Sequence, residues 1–462
     1  MAKVKTVHIC SDCGWESPKW QGQCRACGEW GTLTEFTDRP GKPGSAAASV
    51  RGSKAQAVPV TQVDVEEAAA FPSGVGEFDR VLGRGITPGG VVLLAGDPGV
   101  GKSTLLLDIA ARYARMAAAG GRGPVLYGTG EETVSQVKLR AERIEALTPD
   151  LLLVAANDID TVAALVTEHH PSLVVVDSVQ TFVAPEVEGV QGGVTQIRAV
   201  TNAVIRMAKE NNIPAILVGH VTKEGALAGP RTLEHMVDVV CHIEGEKNTG
   251  LRLLRSLKNR YGSTEEVGCF QLTSRGIEEV PDPSALFVSR RADLTPGSAV
   301  GVMLDGQRAI PTEVQALIEE SQGGSGRRVV SGLSHSRVTM LLAVLGETVG
   351  KSLSASNVYV STVGGASTVD PALDLAVVLA AHSAAGAGAV GMNTVAIGEV
   401  GLTGDVRACH GMDRRLLEAE RLGFRRALIP ASQADQIRSL RRLELVPVSS
   451  VLEALQKGLP SD

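Results

Sequence analysis

The sequence contains a candidate phosphate-binding loop of eight consecutive residues, Gly96-Asp97-Pro98-Gly99-Val100-Gly101-Lys102-Ser103. Its glycines allow backbone N–H groups to turn toward an anion without a Cβ clash. Lys102 can reach the terminal phosphates, and the hydroxyl of Ser103 can ligate Mg²⁺. The apolar run Val91–Ala95 precedes this loop, and a helix-like segment follows from Thr104. Strand, glycine loop and helix is the order that the motif needs, so residues 96–104 are predicted to bind a nucleoside triphosphate.

Carboxylates follow two other apolar runs of the same region. Asp177 ends the run 173–176, where an aspartate can hold Mg²⁺ together with Ser103. Glu131 and Glu132 follow the other run after a Gly-Thr-Gly turn. One of them could orient a water molecule for attack on the terminal phosphate, and the alternative is an acidic helix start. Catalysis is favoured, because the carboxyl ends of parallel strands face the phosphates.

Two further polar sites each have more than one interpretation. His220 ends the apolar run 215–219 and is either a sensor of the γ-phosphate or a polar residue at a strand end. The basic turn Lys258-Asn259-Arg260-Tyr261-Gly262 follows an alternating stretch, which is typical of a hairpin tip. Lys258 or Arg260 could reach a neighbouring subunit's nucleotide or a DNA phosphate, and a solvated charged turn is the alternative.

Four of the seven cysteines form two CxxC pairs near the start of the chain, Cys10/Cys13 and Cys24/Cys27. Two such pairs can close a tetrahedral Zn²⁺–thiolate site, and a segment this short has no other means of folding. A redox CxxC is the rival interpretation, and the second matched pair disfavours it. All three tryptophans, Trp15, Trp20 and Trp30, lie in the same module. They are predicted to pack around the metal, and the alternative is that one stacks on a base or a partner.

Length and composition set the broad class. The chain has 462 residues, 44% hydrophobic and 21% charged, as in an ordinary globular protein of about three domains. A net charge of −6 excludes a wholly basic nucleic-acid binder, so any DNA contact must come from local basic clusters. The first residues contain no apolar leader, so secretion is not expected. No apolar run is long enough for a membrane span, and the alanine-rich stretch 373–390 is predicted to be a buried helix. The scattered remaining cysteines indicate a reducing, cytoplasmic location.

Apolar strand-like runs alternate with helix-like segments from about residue 61 to residue 282. The predicted strands are 91–95, 125–127, 151–155, 173–176 and 215–218, and the predicted helices are 104–118, 133–146, 160–169 and 194–211. Such alternation predicts an α/β domain with a mostly parallel sheet and helices on both faces. Pro-, Gly- and Ser-rich residues before it, 38–60, are predicted to be a flexible linker.

In this order, the four-cysteine module, the P-loop core and the Lys-Asn-Arg-Tyr-Gly motif resemble the bacterial RadA (Sms) DNA-repair family. Further matching stretches are 71–83, 130–132, 219–225 and 228–236. One departure is Gly128-Thr129, where the family commonly has Val-Ser before Gly-Glu-Glu, and it leaves the carboxylate intact.

The resemblance implies the activity and several residue roles. It implies a RecA-type ATPase that hydrolyses ATP with Mg²⁺, is stimulated by single-stranded DNA, and works as a hexameric ring. It would promote branch migration of recombination intermediates alongside the RecA recombinase. Glu131 would be the catalytic glutamate, and Lys258 and Arg260 the family's signature basic pair. A DNA-binding loop would span 221–231 and include Lys223 and Arg231.

The last part of the chain resembles the Lon protease domain, an α+β fold. Ala372 stands in the place of the Lon serine, and Asp413 stands in the place of the Lon lysine. Neither side chain can serve in a Ser–Lys dyad, so peptidase activity is predicted to be absent. The domain is instead expected to build the ring and to contact DNA through several arginines: Arg414, Arg415, Arg421, Arg425 and Arg426.

The predicted organisation has four parts: a zinc module (1–37), the linker (38–60), the ATPase domain (61–282) and an inactive Lon-like domain (283–462). Two other functions compete with the DNA translocase. An ATP-dependent protease is disfavoured by the missing dyad. An ATP-switched adaptor without motor activity is disfavoured by Glu131 and by the Lys258–Arg260 pair.

Overall fold

The computed structural model divides the chain into two compact units, Met1–Glu279 and Val280–Asp462. The residues that it describes are 6–10, 16–17, 19–25, 28, 30–31, 33–37, 59, 61, 69–220, 233–245, 250–288, 295–321, 326–350, 352–391, 393–437, 440 and 442–459. Within this part of the chain, no helix combines the length and the apolar character needed to span a bilayer.

The first unit begins with a small antiparallel sheet of three strands: β1 (Thr6–Cys10), β2 (Glu16–Ser17) and β3 (Leu33–Thr37). Strand β1 is central and pairs with both others. Cys10 and Cys24 pack with Leu33 in a small core, and each cysteine is only 1% exposed. In the described part of the module this core consists of three side chains, and so small a core is consistent with a metal-supported fold.

The prediction that the tryptophans pack around the metal is wrong for two of them. Trp20 and Trp30 are 62% and 73% exposed, and Trp15 lies outside the described residues. The indole N–H of Trp20 donates to the carbonyl of Leu33 at 3.1 Å, so the ring is held at the surface of the module.

A nine-stranded sheet forms the centre of the predicted ATPase domain. Its strands are β4 (Val91–Gly96), β5 (Val125–Thr129), β6 (Leu151–Ala155), β7 (Leu173–Asp177), β8 (Ala215–His220), β9 (Val239–Gly245), β10 (Leu251–Asn259), β11 (Val267–Leu272) and β12 (Ile277–Glu279). Their order is β12-β11-β10-β9-β4-β8-β7-β5-β6. The six strands from β9 to β6 are parallel, and β10 to β12 extend the sheet as antiparallel strands. The predicted α/β fold and all five predicted strands are therefore confirmed.

Helices cover this sheet on both faces. They are α1 (Gly76–Leu82), α2 (Lys102–Ala119), α3 (Val134–Arg143), α4 (Ile159–His169) and α5 (Val194–Asn211). One hydrophobic core includes residues of α2 and α3, and a second core includes residues of α4 and α5. Because the sheet is covered on both sides, every residue of β4, β5 and β7 is buried. This burial explains why those strands are nearly continuous apolar runs in the sequence.

The second unit contains a mixed sheet of seven strands: β13 (Ser298–Asp305), β14 (Arg308–Glu320), β15 (Arg328–Ser331), β16 (Ser356–Thr362), β17 (Thr394–Ala396), β20 (Arg426–Pro430) and β21 (Glu444–Val448). A separate ribbon pairs β18 (Glu399–Val400) with β19 (Val406–Arg407). The helices are α6 (Ser284–Phe287), α7 (His335–Val349), α8 (Asp374–His382), α9 (Met412–Arg421) and α10 (Val451–Gly458). The predicted α+β character of this part is confirmed.

The buried helix predicted over residues 373–390 is shorter than expected. Helix α8 ends at His382 and is followed by a π-type turn, Ser383–Ala387. Gly386 has φ 98°, which a continuing α-helix does not allow. The apolar composition of this stretch correctly predicted that it is buried, but it did not predict that the helix ends before Gly386.

A buried ion pair lies beside Ala372, the residue predicted to stand in the place of the Lon serine. Ala372 is fully buried in a short 3₁₀ turn that begins just after Asp370. Arg415 of α9 is 2% exposed, and its guanidinium donates to both carboxylate oxygens of Asp370 at 2.7 and 3.3 Å. Backbone N–H groups of Leu304 and Ala372 also donate to that carboxylate. The expectation that Arg415 contacts DNA is therefore wrong, because its charge is used inside the domain.

Removing Arg415 should destabilise the second unit strongly. An Arg415→Met substitution leaves the Asp370 carboxylate without its guanidinium partner, and breaking such a pair destabilises a protein by about 3–5 kcal/mol. The exposed neighbour Arg414 supplies the control, since Arg414→Met should change the stability by less than about 0.5 kcal/mol. Hydrogen exchange of peptides from α9 in the full chain measures both effects. Equal protection of α9 in the two variants would contradict this assignment.

Candidate nucleotide site

The phosphate-binding loop lies between β4 and α2, as the sequence predicts. Gly96 has φ 155°, and a Cβ there would lie 2.3 Å from the carbonyl oxygen of Ile243, so only glycine fits. Gly101 precedes α2 with φ 107°, and no side chain caps the helix. The first N–H groups of α2 therefore have no capping side chain and carry the positive end of the helix dipole. This arrangement is suited to an anionic ligand.

Lys102 is the buried cation of this loop. The residue is 3% exposed, and its ammonium group donates to the carbonyls of Gly96 at 2.8 Å and Asp97 at 3.0 Å. Burial lowers the pKa of Lys102, although the negative charges of Asp177, Asp97 and Glu131 oppose that shift. A buried ammonium group whose bonds are to neutral carbonyls favours the approach of a phosphate, which supplies both oxygens and negative charge.

Asp177 ends β7 at the edge of the sheet where the loop lies. Its carboxylate lies close to the hydroxyl of Ser103 and accepts a 2.6 Å hydrogen bond from the hydroxyl of Tyr127. Burial raises the pKa of Asp177, although both hydroxyl groups act to lower it. The two predicted Mg²⁺ ligands, Ser103 and Asp177, are thus side by side. Hydroxyl and carboxylate oxygens are the hard ligands that Mg²⁺ prefers, so these residues fit that ion.

The structure separates the roles of the two glutamates. Glu132 forms an ion pair with Arg140 of α3. Glu131 instead accepts a 2.7 Å hydrogen bond from the hydroxyl of Ser178, the residue after Asp177. The helix that follows is capped by Thr133 and Gln136 in a capping box, so neither glutamate acts as the cap. Glu131 is the carboxylate positioned beside Asp177.

A cavity of about 230 Å³ lies along α2, and its lining begins at Thr104, the residue after the loop. Its lining comes from the first turns of α2, from the residues that end α3 and from the turn before β12: Thr104, Asp108, Arg112, Arg143, Ile144 and Gly276. Thr104 directly follows Ser103, so one wall of the cavity is next in sequence to the predicted phosphate and Mg²⁺ residues.

The Lys-Asn-Arg-Tyr-Gly motif lies at the β10–β11 hairpin, and its two cations have different surroundings. Lys258 is still part of β10, and its ammonium group donates to the carbonyls of Glu234 and Val237, both at 2.8 Å. Arg260 begins the turn; its side chain is 57% exposed and pairs with Asp238 at 3.0 Å. Arg260 is therefore the cation of the pair that faces outward.

Asp238 is a buried acceptor that connects this hairpin to the central strand. It accepts hydrogen bonds from the backbone N–H of Val91 at 3.0 Å, from Lys209 at 2.9 Å and from Arg260. Burial alone would raise its pKa, but the bonds from Lys209 and Val91 hold the pKa of Asp238 below its usual value. The sequence gives no local signal for this contact, since the partners are far apart in the chain.

Several predicted site residues lie outside the described residues. They are Cys13 and Cys27 of the zinc site and Lys223 and Arg231 of the DNA loop. The backbone of His220 ends β8 beside Gly96, and its side chain is also outside the described part. Cys10 and Cys24, one from each CxxC pair, are both buried in the small core of the module, which suits thiolate ligands of a structural metal.

Three family models match the chain in sequence order. A rubredoxin metal binding domain matches residues 8–35, an AAA domain matches residues 68–226, and a Lon protease (S16) C-terminal proteolytic domain matches residues 340–460.

Full-length relatives decide the family. DNA repair protein RadA of Mycobacterium tuberculosis strain H37Rv is 46% identical over 458 residues, which cover 99% of this chain and 94% of that protein. DNA repair protein RadA of Bacillus subtilis strain 168 is 41% identical over 461 residues, covering 99% and 100%. This chain belongs to the RadA family of DNA repair proteins. A crystal structure of the RadB recombinase covers 45% of the chain at 22% identity, with a TM-score of 0.35.

Sequence reasoning missed two side chains of this RadA-family site, Ser178 and Tyr127. Tyr127 lies within a buried strand and Ser178 follows one, and both have apolar neighbours in the sequence, yet each bonds a carboxylate about fifty positions away in the chain. The position of Ser178 directly after Asp177 is the only signal that could have indicated a role. Tyr127 carries no comparable signal, because a tyrosine in a buried strand is common.

Loss of the Ser178 hydroxyl should slow hydrolysis more than it weakens nucleotide binding. Without that donor the Glu131 carboxylate loses one of the contacts that orient it, and misplacement of a catalytic group by about 1 Å lowers rates roughly 100-fold. Ser178→Ala should therefore lower kcat for ATP by about 10- to 100-fold and leave KM nearly unchanged. Steady-state kinetics measures both constants. Ser172→Ala removes another hydroxyl of this domain, bonded only to backbone carbonyls of Gly123 and Pro124, and should leave kcat unaltered.

Proposed function

We propose that this chain is a DNA-stimulated ATP hydrolase that moves along single strands and advances branched recombination intermediates. RadA-family membership supports a role in DNA repair, and the AAA domain supports ATP hydrolysis. The observation that carries the proposal is the convergence of Lys102, Asp177 and Glu131 at one sheet edge. Each of these side chains has a defined hydrogen-bonding partner. This is the set of charges that phosphoryl transfer to water requires.

Each residue of the loop and its surroundings then has a role. Lys102 and the backbone N–H groups of the loop would bind the phosphates of ATP, and the nucleoside would occupy the cavity beside Thr104. Ser103 and Asp177 would hold Mg²⁺, which, when bound, neutralises charge on the phosphates. Glu131 would orient the attacking water, and Ser178 would hold Glu131 in place.

The outward position of Arg260 supports a shared site between subunits. An exposed arginine at a hairpin tip can stabilise negative charge on the nucleotide of a neighbouring copy, as arginine fingers do. Such an arrangement requires a head-to-tail interface, which gives either a closed ring or an open filament, and we propose a hexameric ring. Lys258, with its bonds to backbone carbonyls, would hold the hairpin in place.

Single-stranded and branched DNA are the proposed nucleic-acid partners. Lys223 and Arg231 would contact DNA phosphates from the loop after β8, and the RecA recombinase would act on the same intermediates. Because the chain has a net charge of −6, binding must depend on these local cations and should weaken steeply with salt. The second unit would support the ring without peptidase activity, since Ala372 has no nucleophile and Asp413 has no amine.

Branch migration of a labelled joint molecule tests the proposal. Wild-type protein with ATP should move the junction, whereas Lys102→Ala should not, because it lacks the phosphate-binding ammonium. Arg260→Ala should retain DNA binding and lose most junction movement, because its charge is needed at the neighbouring nucleotide. Arg255→Ala is the control, since this arginine of the same hairpin pairs with Glu244. Junction movement by Lys102→Ala would rule out an ATP-driven motor, as would the absence of movement by the wild type.

Zinc removal should affect the small N-terminal module alone. Because every tryptophan lies within residues 1–37, intrinsic tryptophan emission reports only on this module. A chelator should release about one Zn²⁺ per chain, break the bond between Trp20 and Leu33, and lower the tryptophan fluorescence anisotropy, because the exposed Trp20 ring becomes more mobile. ATP hydrolysis without DNA should stay unchanged, since none of the residues assigned to the nucleotide site belongs to the described part of the module. A protein without bound zinc, or anisotropy unaffected by its loss, would contradict the metal assignment.

A further inference from the structure

Tyr127 is a buried residue of β5 that reaches the nucleotide site. Its side chain is fully buried, and its hydroxyl lies 2.6 Å from Oδ2 of Asp177. In the parallel pairing of β5 with β7, Tyr127 lies opposite Val175 and Thr129 lies opposite Asp177. The long tyrosine side chain therefore extends two residues along the sheet, toward the edge where the phosphates would bind.

The contact restricts how the Asp177 carboxylate can turn. A neutral phenol has a single proton to donate, and here it is donated to Oδ2. The hydroxyl of Ser103 lies close to the same carboxylate. The bond from Tyr127 of β5 therefore restrains the rotation of the carboxylate before any ligand arrives. Hydrogen bonds between a neutral donor and a carboxylate are among the stronger ones in proteins.

A second tyrosine in the same hydrophobic core shows what a purely structural role would look like. Tyr113 of α2 is 1% exposed, and its hydroxyl donates to the backbone carbonyl of Ser172 at 3.2 Å. The two residues thus share burial, core and a hydrogen-bonded hydroxyl. They differ in the acceptor, because only Tyr127 bonds a side chain of the predicted metal site.

We propose that Tyr127 is a positioning residue for ATP hydrolysis, which holds the Asp177 carboxylate in the orientation that receives Mg²⁺. The inference rests on the proposed function, since it concerns the same site. Phenylalanine fills the same volume and lacks only the hydroxyl, so Tyr127→Phe removes the bond and leaves the core packed.

The decisive measurement compares nucleotide affinity with and without Mg²⁺, using full-length protein and a fluorescent ADP analogue. The ratio of the dissociation constant in EDTA to that in Mg²⁺ is the gain in affinity that the ion supplies. Wild type and Tyr113→Phe should show the same gain. In Tyr127→Phe this gain should be about tenfold smaller, as expected for the loss of one hydrogen bond to a charged group. The affinity of this variant in EDTA should be unchanged. The Mg²⁺ concentration for half-maximal ATP hydrolysis should rise by a similar factor.

A thermodynamic cycle with Asp177 shows whether Tyr127 acts through that carboxylate. In an Asp177→Ala background, adding Tyr127→Phe should cause no further loss of the Mg²⁺-dependent gain. A further loss there would overturn the assignment.

Three other outcomes would also overturn the assignment, and they are distinguishable from failure of the proposed function. The first is a Mg²⁺-dependent gain in affinity that is as large in Tyr127→Phe as in the wild type. The second is an equal loss in Tyr113→Phe, which would indicate general core damage. The third is an equal fall in affinity with and without the ion, which would indicate misfolding. If the wild type itself gained nothing from Mg²⁺, the proposed function would fail together with this inference.

Discussion

The positive charge of Lys102, held out of water by its own loop, is the constraint on which the site depends. Its ammonium group bonds the carbonyls of Gly96 and Asp97, and burial lowers its pKa while nearby carboxylates oppose the shift. A charge in this state is stabilised further by an anion that brings several oxygens. The loop is therefore preorganised for phosphate, and the remaining side chains are placed relative to it.

Parallel strand pairing determines which groups surround that charge. The register places Thr129 opposite Asp177 and Gly96 opposite His220, so the carboxyl ends of four strands meet at one edge. These strands were predictable because each is a buried apolar run followed by a polar residue. The contacts of Ser178, Tyr127 and other side chains were not, because they join residues far apart in sequence and depend on rotamers that no local pattern encodes.

The second unit shows the same limit of sequence reasoning. The resemblance to the Lon domain predicts that Ala372 and Asp413 stand at the positions of the Lon dyad. The structure adds that Arg415, two residues after Asp413, is buried against Asp370, two residues before Ala372. Charge alone suggested a DNA contact for this arginine, and burial excludes it. The sequence alone does not show whether an arginine is exposed or buried, and here the packing of α9 decides it.

The central claim is that ATP cleavage at this loop is coupled to DNA. Steady-state ATP hydrolysis by the wild-type protein, with and without a single-stranded oligonucleotide, tests it most directly. We expect the strand to raise the rate several-fold, and the stimulation to fall as salt screens the phosphate contacts. An identical rate with and without DNA, at low salt and saturating ATP, would contradict the account.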